Sequence, residues 1–295
     1  MLRLVLPKGS LEESTLELFA DADLKVNRSS AIAYQASIRD DRIADVTILR
    51  PQEIPLYVAQ GIYDVGITGR DWVDESSADV VSLGELPYSK TPGVDSIRIV
   101  LAVADASPCK SIEDLTGGDR PLRVATEYPE LARRALSAAG VDAEISMSYG
   151  ATEAKVPDIA DCVVELTETG GALRAAGLRA IHTLLVSSTE LIANPASAAD
   201  PDKRRAMDQI ATLLMGTLEA REKVLVKLNV SAERRAAVIA RLPSLRSPTV
   251  SELAGDGGFA IETVVRKDEI NTLIPELKEL GASDILELAL AKIVH

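Results

Sequence analysis

Short apolar runs alternate with amphipathic helical patterns over the first two thirds of the chain. Each run is followed by a turn that contains glycine or proline, and then by a helix-length segment. This alternation predicts a mostly parallel α/β sheet, or two such sheets. Ligands bind such sheets beyond the carboxyl ends of the strands, which is where these turns fall. The main predicted strands lie at residues 2–6, 45–50, 96–104, 122–125 and 161–166.

The last third of the chain has a different pattern. A polar, proline-containing stretch at residues 194–205 precedes a long predicted helix at residues 206–223. Strands and helices then follow in the order βαββαβ, which is typical of a ferredoxin-like unit. Because few glycine-rich turns end its strands, we expect a regulatory or assembly module rather than a second catalytic centre. The predicted segments of this unit are 224–230, 232–242, 248–253, 259–265, 268–281 and 283–294.

Composition narrows the class of protein. The 295 residues include 45 acidic and 32 basic side chains, a formal net charge of −13, whereas nucleic-acid binding requires a basic surface. No apolar run approaches the length of a membrane span, and the first residues lack a signal-peptide core, so we expect a cytoplasmic protein. The two cysteines, Cys109 and Cys162, lack the spacing of metal ligands, and with two histidines a structural zinc site is not expected.

The first turn of the chain is suited to an anion. Lys8 and Gly9 come directly before a helix whose start is marked by the capping-box spacing of Ser10 and Glu13. A helix N-terminus offers free N–H groups and the favourable end of its dipole to an anion. A second glycine-rich turn, at residues 66–70, is also suited to an anion. These residues alone also fit a plain strand–turn–helix connection with a solvated lysine.

The segment from Cys162 to Gly177, CVVELTETGGALRAAG, carries the clearest candidate chemistry. Glu165 and Glu168 end the strand and turn, where carboxylates can accept hydrogen bonds from the paired hydroxyls of a ribose. Thr169 and the glycine pair behind it place consecutive N–H groups at a helix start, where a 5′-phosphate binds without a side-chain cation. The pattern therefore indicates a phosphoribosyl group. The residues alone leave a second interpretation open, an N-cap threonine followed by flexible glycines.

The chain as a whole resembles the ATP phosphoribosyltransferases, the first enzymes of histidine biosynthesis, in their long form with a C-terminal regulatory domain. The resemblance covers nearly all of the chain, with its motifs in order and at the expected spacing. The matching stretches are LRLVLPKGSLEE, ILRPQEIPLYVAQGIYDVGITGRDWV, RVATEYPELARR, ADCVVELTETGGALRAAGLR, ELIAN, PSLRSPTVSELA and VVRKDEINTLIPELKELGASDIL.

The resemblance implies that N1 of the ATP adenine attacks C1 of 5-phosphoribosyl pyrophosphate and that pyrophosphate leaves, with Mg²⁺ neutralising its charge. Such a reaction needs two aligned polyanions and a stabilised cationic ribosyl transition state, not a protein nucleophile. The resemblance identifies no protein ligand of Mg²⁺, because pyrophosphate can supply most of them. The family's loop for phosphoribosyl pyrophosphate falls on Glu165, Thr167, Glu168, Thr169, Gly170, Gly171, Ala172 and Leu173. Its nucleotide-binding residues fall on Lys8, Gly9, Arg50, Asp64, Thr68, Gly69, Tyr128 and Arg133.

The implied architecture is two α/β domains resembling periplasmic binding proteins, with the substrates in the cleft, plus a C-terminal ferredoxin-like (ACT-like) domain. Domain I is expected at residues 1–91 and 182–221, domain II with the phosphoribosyl pyrophosphate loop at 92–181, and the regulatory domain at 222–295. Long-form members are homohexamers built from dimers, which the resemblance implies here as well.

The regulatory domain of the family binds histidine, which inhibits the enzyme by feedback. The matching ligand positions are Asn229, Leu245, Ser247, Thr249 and Ala282. Core packing is the alternative for Leu245 and Ala282, which are apolar.

The chain departs from the family pattern at four positions. The family usually has arginine at Ser10, aspartate at Glu165 and at Asn229, and threonine at Ala172. Loss of the hydroxyl at Ala172 removes one expected phosphate contact and leaves the N–H groups.

Two other classes of function are the alternatives to a transferase. The same two-lobed fold serves in small-molecule binding proteins without catalysis, but the chain lacks an export signal and carries the additional βαββαβ unit. A transcriptional regulator with such a sensor fold would need a DNA-binding module. The acidic charge and the lack of a helix-turn-helix candidate argue against that class.

Overall fold

The computed structural model describes residues 1–89, 94–243, 247–255 and 257–295. The chain divides into two compact units. The first contains Met1–Ala20 and Leu24–Ala211, and the second contains Asp21–Asp23 and Thr212–His295. Within the described residues, no helix has both the length and the apolar character that crossing a bilayer requires.

Strands and helices alternate over parts of the first unit, as the sequence predicts, but elsewhere strands follow one another without a helix between them. Its strands are β1 (Leu2–Pro7), β2 (Val26–Arg28), β3 (Gln35–Ile38), β4 (Ile43–Leu49), β5 (Val65–Gly69), β6 (Val81–Leu86), β7 (Ile97–Ala104), β8 (Leu122–Thr126), β9 (Ala143–Met147), β10 (Cys162–Thr167), β11 (Leu178–Ser187) and β12 (Thr189–Ala193). The helices are α1 (Glu12–Asp21), α2 (Ile54–Ala59), α3 (Arg70–Ser76), α4 (Pro129–Ala138), α5 (Gly171–Ala175), α6 (Pro195–Ala199) and α7 (Pro201–Arg221), within which the unit boundary falls. Short 3₁₀ turns lie at Glu113–Leu115 and Thr152–Lys155.

In the part of the chain that the structure describes, the strands of the first unit form two sheets. The larger has the order β2-β3-β4-β1-β5-β12-β6, and the smaller has the order β11-β7-β10-β8-β9. More of the described strand pairs in the first unit are antiparallel than parallel, so the expectation of a mostly parallel sheet is wrong and both sheets are mixed. β1 pairs in parallel with β4 and β5, and β8 pairs in parallel with β9 and β10. The carboxyl ends of these parallel strands therefore meet at one edge of each sheet.

The smaller sheet is covered on both faces, which explains the continuous apolar run IRIVLAVA of β7. Ile99 and Leu101 face a core cluster that includes Leu136 of α4. Val100 faces the opposite cluster, which includes Leu173 of α5. A strand buried on both faces has no polar side to expose, so the usual alternation of apolar and polar residues is absent.

The start of α1 differs from the predicted capping box. The Gly9 N–H donates to Glu12 Oε2 at 3.3 Å, and Glu12 Oε1 is ion-paired with Arg28 at 2.8 Å. The reciprocal contact therefore lies one residue earlier than the expected pair of Ser10 and Glu13. The physical reason is the ion pair, which holds the Glu12 carboxylate beside the turn.

The strand at one expected domain boundary and the start of the long helix also differ from the sequence pattern. The expected domain boundary between residues 181 and 182 falls inside β11, which continues in the smaller sheet to Ser187. The long helix begins at Pro201 rather than at residue 206. It starts there because Asp200 Oδ1 accepts the N–H groups of Asp202 and Lys203, at 2.9 and 3.1 Å, and proline is tolerated in a first helical turn.

The second unit is a ferredoxin-like fold. Its elements are β13 (Lys223–Val230), α8 (Arg235–Arg241), β14 (Thr249–Glu252), β15 (Phe259–Arg266), α9 (Lys267–Glu279) and β16 (Ser283–Ala289). Over its described residues the sheet order is β14-β15-β13-β16. Alternate residues of β13, such as Val224 and Val226, pack against apolar residues of α8 and α9. The predicted fold class, two α/β sheets followed by a ferredoxin-like unit, is confirmed.

Replacing Gly66 by alanine should destabilise the first unit by about 1–3 kcal/mol, because overpacking a filled core forces side chains out of position. A Cβ at Gly66 would lie 2.7 Å from Ile54 and 2.9 Å from Val5 and Val58, all fully buried. The free energy of unfolding in urea measures the effect.

The matched control is Gly118→Ala. Gly118 is exposed, and the nearest atom to its Cβ would be 3.4 Å away. We expect a change of no more than about 0.5 kcal/mol in this variant. Equal stability of the two variants would contradict the tight packing around Gly66.

Candidate active site

The carboxyl edge of the larger sheet brings several predicted residues together. Lys8 follows β1, Arg50 follows β4, and Thr68 and Gly69 end β5. These three strands are neighbours and run in parallel, so the loops that follow them share one edge. Gly9 and Arg50 are exposed at this edge, where they can meet a ligand.

Two side chains at this edge have partners within the fold. The Thr68 hydroxyl donates to the Pro51 carbonyl at 2.8 Å, so it holds the loop after β4. Lys8 Nζ lies over the ring of Tyr34, 4.1 Å from its centroid. The attraction of the ammonium group to the ring holds Lys8 at this edge.

Asp64 lies away from this edge. It precedes β5, whereas Thr68 is near the end of the same strand, and four residues of strand span about 13 Å. Its carboxylate is 2% exposed and accepts hydrogen bonds from Ser197 Oγ at 2.6 Å and Lys203 Nζ at 2.7 Å. Asp64 therefore connects the start of β5 to the region of α6 and α7 through hydrogen bonds. The structure does not bring it close to Lys8 and Gly69.

The turn after β10 forms an open row of backbone amides. Gly170 has a φ of +76°, in the left-handed region that favours glycine, and its N–H donates to Thr167 Oγ1 at 2.9 Å. Among the described residues, no backbone carbonyl accepts a hydrogen bond from the N–H groups of Gly171, Ala172 or Leu173. These amides are available to an anion.

Arg174 adds a cation to this turn that the sequence analysis did not include. Its Nη1 donates to the Thr169 carbonyl at 3.0 Å, and a Cβ at Gly170 would lie 2.7 Å from the same nitrogen. The guanidinium therefore lies over the glycine. The spacing of four residues between Gly170 and Arg174 is one helical turn, which could have indicated this contact from the sequence.

Glu165 lies two residues before the end of β10 and is half-buried. Leu166 N–H donates to its Oε1 at 3.0 Å. Burial raises the pKa of Glu165, and the carboxylates of Glu127 and Glu153 raise it further, while a hydrogen bond from Thr152 lowers it. The charge of this carboxylate therefore depends on the donors around it.

A buried carboxylate, Asp71, joins the two sheets of the first unit. Its Oδ2 accepts from the Tyr128 hydroxyl at 2.9 Å, and its Oδ1 accepts from Ser187 Oγ at 2.7 Å. Trp72 stacks on Tyr128 with the ring centroids 4.5 Å apart. Burial raises the pKa of Asp71, although both hydroxyls oppose that shift. These contacts fix α3 against the end of β11 and the residues after β8.

A pocket of about 90 Å³ lies between the two sheets of the first unit. Gly69 and Asp71 line it from one side, and Leu166 and Glu168 line it from the other. A Cβ at Gly69 would lie 2.1 Å from Asp71 Oδ1, so only glycine fits there. The volume is below the roughly 300–1,000 Å³ of most ligand sites, so a large ligand must extend out of the pocket along the amide row and the carboxyl edge.

The two nucleotide-binding residues expected after β8 have different surroundings. Tyr128 is 2% exposed, and its hydroxyl is bonded to Asp71. Arg133 is exposed on α4 and is ion-paired with Glu130. The structure brings Tyr128 to the wall behind the pocket and leaves Arg133 on the surface of the helix.

The positions expected to bind a regulatory histidine lie at different places in the second unit. Asn229 Nδ2, on β13, donates to Asp284 Oδ2 at 2.9 Å. Thr249 is on β14, and β15 lies between the two strands, so about 10 Å separates them. Ser247 is exposed, Ala282 belongs to the core of the unit, and Leu245 lies outside the described residues.

The described residues contain no preformed cluster of metal ligands. Nowhere among them do three side chains of the His, Cys, Asp and Glu types come together in a metal-binding arrangement. A divalent ion at this site would therefore need ligands from a substrate in addition to one or two carboxylates.

Two family models match consecutive parts of the chain. The model for ATP phosphoribosyltransferase matches residues 50–216, and the model for its C-terminal domain matches residues 220–292. The chain is 44% identical over 294 residues to the ATP phosphoribosyltransferase of Chlorobium phaeovibrioides, with 100% of this chain and 98% of the relative covered. It is also 44% identical to that of Desulforudis audaxviator, with 99% of both chains covered. The chain belongs to the ATP phosphoribosyltransferase family.

Structural comparison agrees with this family. A solved chain of the ATP phosphoribosyl transferase (HisG:HisZ) complex from Thermotoga maritima has a TM-score of 0.62 and 25% identity, with 74% of this chain and 98% of that chain covered. Membership of the family makes the protein a transferase of histidine biosynthesis in its long form, rather than a binding protein without catalysis.

Replacing Tyr128 by phenylalanine should cost about 1–3 kcal/mol of folding free energy at neutral pH. Phenylalanine keeps the stack on Trp72 but leaves the buried Asp71 with one donor fewer, and an unsatisfied buried acceptor costs about this much. Denaturant unfolding measures the difference.

Tyr57→Phe is the matched control. The Tyr57 hydroxyl is 3.5 Å from Glu53 Oε1 at an exposed position, so its loss should change the unfolding free energy by no more than about 0.5 kcal/mol. A Tyr128 variant as stable as this control would show that Asp71 does not depend on the hydroxyl.

Proposed function

We propose that this chain transfers the 5-phosphoribosyl group of phosphoribosyl pyrophosphate to N1 of ATP, giving phosphoribosyl-ATP and pyrophosphate in the first step of histidine biosynthesis. The observation that carries the proposal is the row of available amides at residues 171–173, which directly follows the strand that carries Glu165. N–H donors suit a phosphate, and an adjacent carboxylate suits the hydroxyls of its sugar. Membership of the family over the full chain supports the same reaction.

In this proposal the loop from Glu165 to Leu173 holds the donor. The amides of Thr169, Gly171, Ala172 and Leu173 surround its 5′-phosphate, while Gly170 and Thr167 set the turn, since the Gly170 N–H donates to Thr167 Oγ1. Glu165 and Glu168 accept hydrogen bonds from the ribose hydroxyls. Because a carboxylate beside the ring also stabilises positive charge on it, these residues favour the transition state as well as binding.

The nucleotide is proposed to lie on the carboxyl edge of the larger sheet. Lys8, Gly9, Arg50 and Gly69 contact it there, and N1 of the adenine attacks C1 of the ribose as the bond from C1 to the pyrophosphate oxygen breaks. The other nucleotide-side residues are Asp64, Thr68, Tyr128 and Arg133. Asp64, Thr68 and Tyr128 act through the elements that they hold in place, since their polar groups are bonded within the fold.

Mg²⁺ is proposed to enter with phosphoribosyl pyrophosphate. The ion usually keeps several waters and binds one or two carboxylates together with substrate phosphates. Glu165 and Glu168 can supply those carboxylates. The described residues contain no closed cluster of metal ligands that could replace the substrate phosphates. Bound there, the ion neutralises charge on the leaving pyrophosphate.

Gly170→Asp should abolish binding of phosphoribosyl pyrophosphate, because it places a carboxylate at the amides that hold the 5′-phosphate. Titration calorimetry measures the affinity. Incubation with ATP, phosphoribosyl pyrophosphate and Mg²⁺ measures turnover, which the unmodified chain should show and this variant should not.

The matched control is Gly177→Asp, at the other end of α5. Both glycines have a positive φ, +76° and +70°, and no described atom lies within 4 Å of a Cβ at Gly177. The control has the same added charge and similar backbone strain but leaves the amides open. Equal affinities of the two variants would refute the loop assignment, and no turnover by the unmodified chain would refute the transferase.

We also propose that histidine inhibits the enzyme through the second unit, at Asn229, Ser247, Thr249 and Ala282 together with Leu245. The open face of the sheet supports this, since Asn229 and Thr249 both lie on strands of that sheet. Family membership also supports a homohexamer built from dimers and a cytoplasmic location, where ATP is available.

L-Histidine should inhibit turnover, and Asn229→Ala should raise the half-inhibiting concentration about tenfold, the cost of one hydrogen bond to a charged ligand. Lys278→Ala, on α9 at the other face of the sheet, is the control and should leave inhibition unchanged. Initial rates at a series of histidine concentrations measure both. If the initial rate does not depend on histidine concentration, the second unit does not regulate the enzyme and serves only in assembly.

A further inference from the structure

Trp72, the only tryptophan of the chain, lines the pocket between the two sheets of the first unit. It is the third residue of α3 and is partly exposed. Tyr128 covers one face of its indole, with the ring centroids 4.5 Å apart and the two planes at 25° to each other. Tyr128 itself is 2% exposed and is not part of the pocket lining. The surface that Trp72 presents to the pocket is therefore its other face or its edge.

The other walls of the pocket suit a flat ring. Apolar side chains reach the pocket from both sheets and the loops that follow them, namely Leu11, Pro51, Ile97 and Leu166. The pocket volume, about 90 Å³, is too small for a whole nucleotide, so the part that enters must be small. A purine base is flat, and both of its faces stack well on aromatic side chains.

The pocket also lies where the two substrates are proposed to meet. Gly69 lines it at the end of β5, and Glu168 lines it on the loop proposed to hold the phosphoribosyl donor. Lys8 and Arg50 follow β1 and β4 at the same edge as Gly69. A nucleotide with its base in the pocket can extend its triphosphate along that edge and present its ring to the ribose of the donor.

We propose that Trp72 stacks on the adenine of ATP and holds the ring opposite the phosphoribosyl donor. Tyr128 is then a positioning residue, because it supports the indole from behind and does not touch the base. This inference rests on the proposed function of the site. It adds Trp72, which lies outside the residues assigned to the nucleotide and to the donor.

The emission of the single tryptophan reports the proposed stack directly. Stacking on adenine quenches indole fluorescence, so titrating the unmodified chain with ATP and Mg²⁺ should lower the emission in a saturable manner. Inorganic triphosphate carries a similar anionic charge without a base and should not lower it. N-Acetyltryptophanamide titrated in the same way corrects for collisional quenching and for light absorbed by ATP.

The titration is repeated on protein saturated with phosphoribosyl pyrophosphate, and the emission is read immediately after mixing. This second titration detects the stack even if ATP binds only after the donor. The donor alone should leave the emission without the loss that ATP causes, because it carries no base.

Trp72→Leu removes the aromatic face and should raise the KM for ATP about tenfold, the loss expected for one stack of a base on an aromatic ring. The KM for phosphoribosyl pyrophosphate should stay unchanged. Trp72→Phe keeps an aromatic face and should return the KM for ATP to within about threefold of the unmodified value. Initial rates at varied concentrations of each substrate measure both constants.

The matched control is Tyr63→Leu. It removes a partly buried aromatic ring that packs on a core cluster near the start of β5, at the edge opposite to the pocket, and should change neither KM. Trp72 also packs against the core cluster of the smaller sheet, so thermal unfolding checks that each variant is folded. If the leucine variant does not fold, the two fluorescence titrations decide.

An enzyme that turns over, but whose emission ATP leaves unchanged in both titrations, would overturn the stack. So would a folded leucine variant whose KM values are unchanged or rise equally for both substrates, since that would indicate no role or a general distortion. An unmodified chain without turnover would instead refute the proposed function.

Discussion

The buried carboxylate of Asp71 holds the two sheets of the first unit in one arrangement. It accepts hydrogen bonds from Tyr128 and Ser187, which belong to the smaller sheet and its loops, while α3 follows directly from the larger sheet. Glu75, one turn further along α3, accepts the N–H groups of Glu130 and Leu131 at 2.9 Å each and so caps α4. A buried carboxylate without hydrogen-bond donors costs folding free energy, so these contacts stabilise one arrangement of the two sheets. In that arrangement the row of amides after β10 lies opposite the carboxyl edge of the larger sheet.

An acidic protein that binds two polyanions must provide local positive potential. The net charge of the chain is −13, and several arginines near the site are already paired, such as Arg70 with Asp74 and Arg133 with Glu130. Backbone N–H groups attract phosphate without adding basic side chains. Lys8 on Tyr34 and Arg174 over Gly170 then supply cations where the anions are proposed to bind.

Much of the fold could be predicted from the sequence, but less of the site. The turn after β10 is a local feature, and its glycine conformation and open amides agree with the pattern TETGG. Asp64 shows where the sequence was insufficient, since a residue close to Thr68 in sequence lies at the far end of the same strand. Ser187 was missed because its contact with Asp71 depends on how the two sheets pack, and Arg174 was missed although its contact is local. Only the spacing of Arg174 from Gly170 offered an indication.

The sequence by itself determined the main strands and helices, the ferredoxin-like unit and the conformation of the glycine turns. These features depend on apolar periodicity and on residues a few positions apart, so they can be recognised in the sequence. The tertiary structure decided that Asp71 meets Ser187, 116 residues away, and that Tyr128 meets Asp71, 57 residues away. Such contacts join segments whose distance is set by the packing of whole sheets, and no local pattern records that distance.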